Sequence, residues 1–189
     1  MVDEPVLRLA TPEDRPALEA LLERSVRDLS RDFYSPGQID ASLKAIFGID
    51  GTLIADGTYF AVMVGDRYAA CGGWSRRRTL FGGDQAAGRS PELLDPGVDA
   101  AKIRAFFVDP SFARRGIASL MMRVAEQAAL AEGFRSLELM ATLPGVPLYK
   151  ALGFIATGTH AEKLSDGNVI PFVPMRKDIG QEGGVQEFI

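Results

Sequence analysis

Lys102-Ile-Arg-Ala-Phe-Phe-Val-Asp-Pro110 opens the stretch that decides the fold, a short apolar run stopped by Asp-Pro. Ser111-Phe-Ala-Arg-Arg-Gly-Ile-Ala118 follows as a small basic turn, and Ser119 to Glu132 as a long amphipathic run. A second apolar run, Leu137 to Ala141, passes through a Pro/Gly turn into Leu148-Tyr-Lys-Ala-Leu-Gly-Phe154. The pattern predicts strand, turn, helix, strand and short helix. In the long helix, Ile117, Leu120, Met121, Val124, Ala128 and Ala131 should form one apolar stripe. Arg123, Glu126, Gln127 and Glu132 should face water, and Gly133 should close the helix as its C′ residue.

The chemistry of this stretch lies at Arg114-Arg-Gly-Ile-Ala118. The first N–H groups of a helix have no intrahelical partner. They carry partial positive charge, so a phosphate can sit on them. Gly116 lets the backbone come close to such a ligand, Ala118 leaves the next approach open, and Arg114 and Arg115 add cationic donors. A pyrophosphate is the natural ligand. A helix start with two solvated arginines is the competing account of the local sequence.

Upstream, Val6 to Ala10 reads as a strand. Thr11-Pro-Glu-Asp14 reads as a helix start, with Thr11 as N-cap, Pro12 first in the helix and acids in the first turn. Leu18, Leu21, Leu22 and Leu29 share one helical face with Ser25 and Val26. Ser35-Pro-Gly37 breaks the chain before a shorter helix marked by Ile39, Leu43, Ile46 and Phe47, and Gly48 to Gly57 is turn-rich. Thr58 to Val64 and Tyr68 to Trp74 flank Gly65-Asp66 as a hairpin. Ser75 to Ala100 reads as a long loop with a helical turn near Pro91 to Leu94; loops of this length in compact domains are usually functional or mobile. Past Phe154, Ile155 to Thr159 and Val169 to Met175 are strand candidates around a polar turn at Ser165-Asp-Gly-Asn168. Strands that feed helices, with a hairpin before them, indicate an α/β fold with a mixed sheet.

The length of 189 residues favours one domain over residues 1–179 with a loose tail over 180–189. A single cysteine, Cys71, excludes an intrachain disulfide and fits a reducing, cytoplasmic setting. Its apolar surroundings make it a small buried hydrophobe rather than a nucleophile. The net charge of −4 argues against nucleic acid as a partner. No apolar run approaches the roughly 20 residues of a membrane span, and the acidic start lacks the basic region of a signal peptide. One His and one Cys cannot assemble the usual zinc site, so no metal is expected.

The run from Phe107 to Phe154 resembles the acyl-CoA-binding core of the GNAT superfamily of N-acyltransferases. The family signature at the turn, Gln/Arg-x-x-Gly-x-Gly/Ala, is read here in Ala113-Arg-Arg-Gly-Ile-Ala118. Gly116 and Ala118 match, and Ala113 departs at the first position. Phe107-Val-Asp-Pro110 matches the end of the family's preceding strand, and Tyr149-Lys-Ala-Leu-Gly-Phe154 its later Tyr-x-x-x-Gly-Phe signature.

The resemblance implies a central mixed sheet in which Ile103 to Val108 and Leu137 to Ala141 are parallel strands that splay apart. It also implies acetyl-CoA as cosubstrate. The pantetheine would lie along Phe107 and Val108, and the pyrophosphate on Arg114, Arg115, Gly116, Ile117, Ala118 and Ser119. Tyr149 matches the general acid that protonates the leaving thiolate. Many relatives place a Glu on the strand before the turn as base, and this strand has none. Glu138 on the next strand is the candidate base, beside Asp84, Asp95, Asp109 and His160; a solvated or structural role is the competing account of each. Arg104, a charge inside a central strand, requires a partner or a cleft; facing the acceptor, it would select an acid-bearing substrate. Trp74, Tyr34 and Phe33 could line the acceptor pocket, and Arg76 to Arg78 could add to its recognition.

The expected function is therefore transfer of an acetyl group to the amine of a small molecule or peptide. A non-catalytic acyl-CoA-binding or sensor domain is the alternative. The edge and last strands leave room for a homodimer.

Overall fold

The computed structural model describes residues 3–180, so the expected tail lies, beyond Gly180, outside the described residues. The strands are β1 (Pro5–Leu9), β2 (Tyr59–Val64), β3 (Arg67–Ser75), β4 (Ala101–Val108), β5 (Ser136–Thr142), β6 (Ile155–Ala156), β7 (His160–Lys163) and β8 (Val169–Asp178). The helices are α1 (Arg15–Ser30), α2 (Pro36–Ala45), α3 (Gly51–Ala55), α4 (Ile117–Ala131) and α5 (Val146–Ala151). The strands form one mixed sheet in the order β1-β2-β3-β4-β5-β8-β6, with β7 on the same edge of β8 as β6. Among the described strands, only β4 and β5 run parallel.

Helices cover both faces of the sheet. Side chains alternate along a strand, and β2 shows the result. Tyr59 and Ala61 join the core under α1 and α2, while Phe60 and Val62 join the core under α4. Leu18 and Leu21 of α1 are fully buried, each contributing roughly 2 kcal/mol relative to exposure. Leu29, expected on the same face, is 39% exposed. In α4 the buried stripe is Ile117, Met121, Ala125 and Ala129, with Met122 beside it. This face is rotated from the expected one, because the i, i+4 row packs on the sheet while Leu120, Val124 and Ala128 sit at its flank.

Local rules account for several helix ends. Ser35 caps α2, accepting from the Gln38 N–H at 3.2 Å while the Gln38 side chain returns to the Ser35 N–H. Asp50 caps α3, a helix absent from the sequence expectation. Between β3 and β4 the loop lacks the expected helical turn and pairs Arg77 with Leu93 in a single bridge. No helix among the described residues is long and apolar enough to cross a membrane.

Asp14 joins β1, the start of α1 and β3. Its carboxylate accepts two bonds from Arg8 at 2.7 Å, one from the Tyr68 hydroxyl at 2.6 Å and one from the Thr11 N–H at 2.7 Å. The Arg8 guanidinium, first among these partners, holds the carboxyl well below the usual carboxylate range. A depressed folded pKa contributes stability above the unfolded value near 4 that is lost as pH falls through the folded one. Asp14→Asn should therefore cost about 1–2 kcal/mol at pH 7. Denaturant titrations of both proteins should show that gap narrowing steadily as the pH is lowered below 4.

Candidate active site

The site begins where β4 leaves β5. The two strands pair only at Ala101 with Leu137 and Lys102 with Glu138. Beyond Lys102 they diverge, although β5 continues pairing with β8 up to Thr142. The edge of β4 facing β5 is thus open from Ile103 to Val108, and its peptide groups can bond a guest.

A β-bulge contributes to the parting. Between the pairs Gly73–Arg104 and Cys71–Phe107, β3 spends one residue where β4 spends two. Ala105 takes up the extra length at φ 52°, a left-handed conformation that costs a non-glycine residue roughly 1 kcal/mol. The hydroxyl of Tyr59, fully buried beneath it, donates to the Ala105 carbonyl at 3.1 Å. On the other face the Phe106 ring rests against Gly72, where any Cβ would collide with it.

Two adjoining clefts border the splay. One cleft is lined by Ser25, Val26 and Leu29 of α1, by Phe106 to Val108, by Ala118, and by Leu148 and Tyr149 of α5. The other is lined by Phe47, Leu80, Phe81, Ile103, Met140 and Phe172. Phe47, Phe106, Phe107, Thr142 and Tyr149 border both.

At the outer end of the first cleft the chain turns into α4. Arg114 has φ 62° and Gly116 φ 79°, so two left-handed residues bracket Arg115. Alternating conformations of this kind turn successive N–H groups toward one point. No side chain caps α4. Arg114, Arg115 and Gly116 are exposed, and the Arg115 guanidinium lies over the Phe112 ring at 5.4 Å.

Tyr149 stands at the inner end. Its ring packs edge-on against Phe154 at 5.9 Å, and the missing side chain of Gly145 leaves it room. Burial alone pushes its phenol pKa up, with no charged neighbour contributing. The hydroxyl is therefore protonated at neutral pH.

Residues 23–154 match the profile of the Acetyltransferase (GNAT) family. The chain belongs to the GNAT acetyltransferase family. Its fold is similar to a GCN5-related N-acetyltransferase from Rhodopseudomonas palustris, with TM-score 0.70, 18% identity, and coverage of 95% of this chain and 98% of that one. It is also similar to the ribosomal-protein-S18-alanine N-acetyltransferase of Escherichia coli, with TM-score 0.57, 16% identity and coverage of 98% and 100%. A third likeness is to the PaiA N-acetyltransferase of Thermoplasma acidophilum, solved in complex with coenzyme A, with TM-score 0.60, 10% identity and coverage of 93% and 99%. At these identities the likeness is one of fold. No curated protein sequence matches the chain significantly.

Within this GNAT fold several candidate side chains are committed to partners of their own. Glu138 accepts from Lys102 at 2.6 Å and from Arg176 at 2.9 Å. Those two cations hold its pKa down against the opposing effect of burial. It lies four residues before Thr142 on β5, roughly 13 Å toward the closed end. Glu138 clamps the strands and is not placed to act as base.

Arg104 is 2% exposed, and its guanidinium donates to Asp50 at 2.8 Å, to the Thr79 carbonyl at 2.9 Å and to the Gly82 carbonyl at 2.5 Å. Arg89 completes this cluster on Asp50 at 2.8 Å. Arg104 borders the second cleft, but these bonds tie its guanidinium to Asp50 and the long loop and leave it buried and paired.

Trp74 is buried in the core under α4, edge-on to Phe134. The Tyr34 hydroxyl donates to the Pro171 carbonyl at 2.8 Å and accepts from the Leu143 N–H at 2.9 Å. Neither lines the acceptor pocket. Asp84 pairs with Arg15, Asp95 bonds the Gly97 N–H, and Asp109 holds the Ser111 N–H and Arg24. His160 bonds Glu162 at 2.9 Å and sits behind Phe81.

The residues that shape the cleft most, Tyr59, Phe47, Phe81 and Phe172, carry no local sequence signal beyond being apolar. Tyr59→Phe should strand the Ala105 carbonyl and cost about 1–2 kcal/mol. Hydrogen exchange should then quicken at β4 amides around the bulge while β8 amides keep their rates.

Proposed function

We propose that the chain transfers an acetyl group from acetyl-CoA to the nitrogen of an amine by direct attack within a ternary complex. The observation that carries this reading is the position of Tyr149, on the wall common to both clefts at the parting of β4 and β5. A donor in the first cleft and an acceptor in the second would meet beside its ring.

The turn would bind the pyrophosphate through the N–H groups of Gly116 to Ser119, with Arg114 and Arg115 adding charge. The open edge at Phe107 and Val108 would bond the pantetheine amides. The amine nitrogen attacks the thioester carbonyl carbon, a C–N bond forms, and the C–S bond breaks with its electron pair moving to sulfur. The Tyr149 hydroxyl gives its proton to that sulfur. The proton displaced from nitrogen leaves to solvent, which returns one to the phenolate. The charge that develops is thus met by a donor already in place. The same binding features would serve an acyl-CoA sensor, which would hold acetyl-CoA without releasing thiol.

Tyr149→Phe should lower thiol release from acetyl-CoA by roughly 10²-fold or more, with the acetyl-CoA Kd unchanged within about threefold. Full activity in that variant would remove Tyr149 from the chemistry. Glu138→Gln should keep kcat within about threefold of the parent, since the carboxylate does not reach the cleft. Because the folded phenol pKa is raised, its proton remains available through alkaline pH. The pH–rate profile should show no loss dependent on Tyr149 below about pH 10.

A further inference from the structure

The acceptor half of the cleft has a specific chemical character. Its wall is aromatic: Phe47 meets Phe107 edge-on at 6.0 Å and Phe172 at 6.1 Å, and Phe81 leans on Phe172 at 5.8 Å. Leu80, Ile103, Leu139 and Met140 line the same cleft. The one charged side chain among the residues lining it is Arg104, a cation already bonded to Asp50 and two carbonyls. Beside it, Asp50 is shared with a second guanidinium from Arg89, which also has Asp84 at 3.8 Å, so each nearby carboxylate is already paired with a cation. No carboxylate lines this half among the described residues.

We infer that the acceptor is an aromatic amine, neutral at pH 7, whose ring is held by the Phe47, Phe81, Phe107 and Phe172 wall. This rests on the acetyltransferase reading and names its substrate class. An alkylammonium would enter as a cation, at the desolvation cost of an unpaired charge. It would also have to lose a proton with no carboxylate or imidazole on the cleft wall, His160 and its partner Glu162 standing behind the Phe81 ring, and only about one molecule in a thousand of such an amine is neutral at pH 7. An arylamine avoids both costs, because its lone pair is delocalised into the ring and it carries no proton to shed before attack. Its ring can add to the edge-to-face contacts of the wall, each worth about 0.5–1.5 kcal/mol beyond the area buried.

The test pairs 4-ethylaniline with 2-phenylethylamine, close in size and apolarity but differing in where the nitrogen sits. Thiol release from acetyl-CoA is followed at pH 6 to 9, with acetyl-CoA binding measured separately by calorimetry. The expected result is a kcat/KM at pH 7 about 100-fold higher for the arylamine. Its rate should be flat with pH, while that of the alkylamine rises about tenfold per pH unit. A second arm uses Phe81→Glu, which sets a carboxylate in the acceptor wall away from the donor cleft. The preference for the arylamine should fall at least tenfold with acetyl-CoA binding unchanged. Equal or better use of the alkylamine at pH 7 would overturn the proposal. So would bound acetyl-CoA with no turnover of either amine. Failure of acetyl-CoA to bind at all would instead strike the underlying acetyltransferase reading, and this proposal would fall with it.

Discussion

Two residue pairs, Ala101 with Leu137 and Lys102 with Glu138, hold β4 to β5, and everything functional depends on their being the last. Glu138, with Lys102 on one side and Arg176 on the other, ties the closed end ionically. Past it the bulge at Ala105 takes β4 out of register, and the Tyr59 hydroxyl holds the displaced carbonyl in place. The strain in that residue is small beside the packing that surrounds it. The open edge that results is a row of peptide groups that must be met by water or by a guest. A parallel pair near the middle of a sheet normally satisfies itself; here the fold gives up that pairing to make a slot.

The slot has polarity along its length. At its outer end, two left-handed residues and an uncapped helix start gather N–H groups and exposed guanidiniums. At its inner end the surroundings are apolar, and Tyr149 keeps its proton because burial disfavours the phenolate. An anionic head and an apolar, reactive tail would therefore lie in one direction only. In the adjoining cleft the wall is aromatic, with Phe47, Phe81, Phe107 and Phe172 in mutual contact and no carboxylate among the described lining residues.

Much of this was legible because it is local. The strand, Gly116 turn, long helix and Tyr149-x-x-x-Gly-Phe154 segment lie in consecutive stretches, and each is governed by periodicity or by a terminus rule. The gaps have a common physical origin in long-range pairing. Glu138 is a candidate base because the preceding strand offers no Glu, and Arg104 a substrate contact because a charge in a central strand needs a partner; each has partners that sequence order does not reveal, Lys102 and Arg176 for Glu138 and Asp50 for Arg104. Trp74 and Tyr34 were drawn away by the core and by two backbone groups distant in sequence. The bulge is set by a mismatch between two strands, which neither strand states alone. α3 escaped notice because five residues leave too short a period to read, and β7 because its neighbour β8, not its own composition, makes it a strand.

The central claim is that the parting of β4 and β5 holds the acyl donor, with its thioester beside Tyr149 on the wall shared by the two clefts. A crystal structure of the protein with acetyl-CoA tests it most directly. The account predicts the pyrophosphate on residues 114–119, the pantetheine bonded along the open edge of β4 at Phe107 and Val108, and the thioester sulfur within hydrogen-bonding reach of the Tyr149 hydroxyl. A cofactor bound elsewhere, or a thioester on the α1 side with Tyr149 turned away from it, would contradict it.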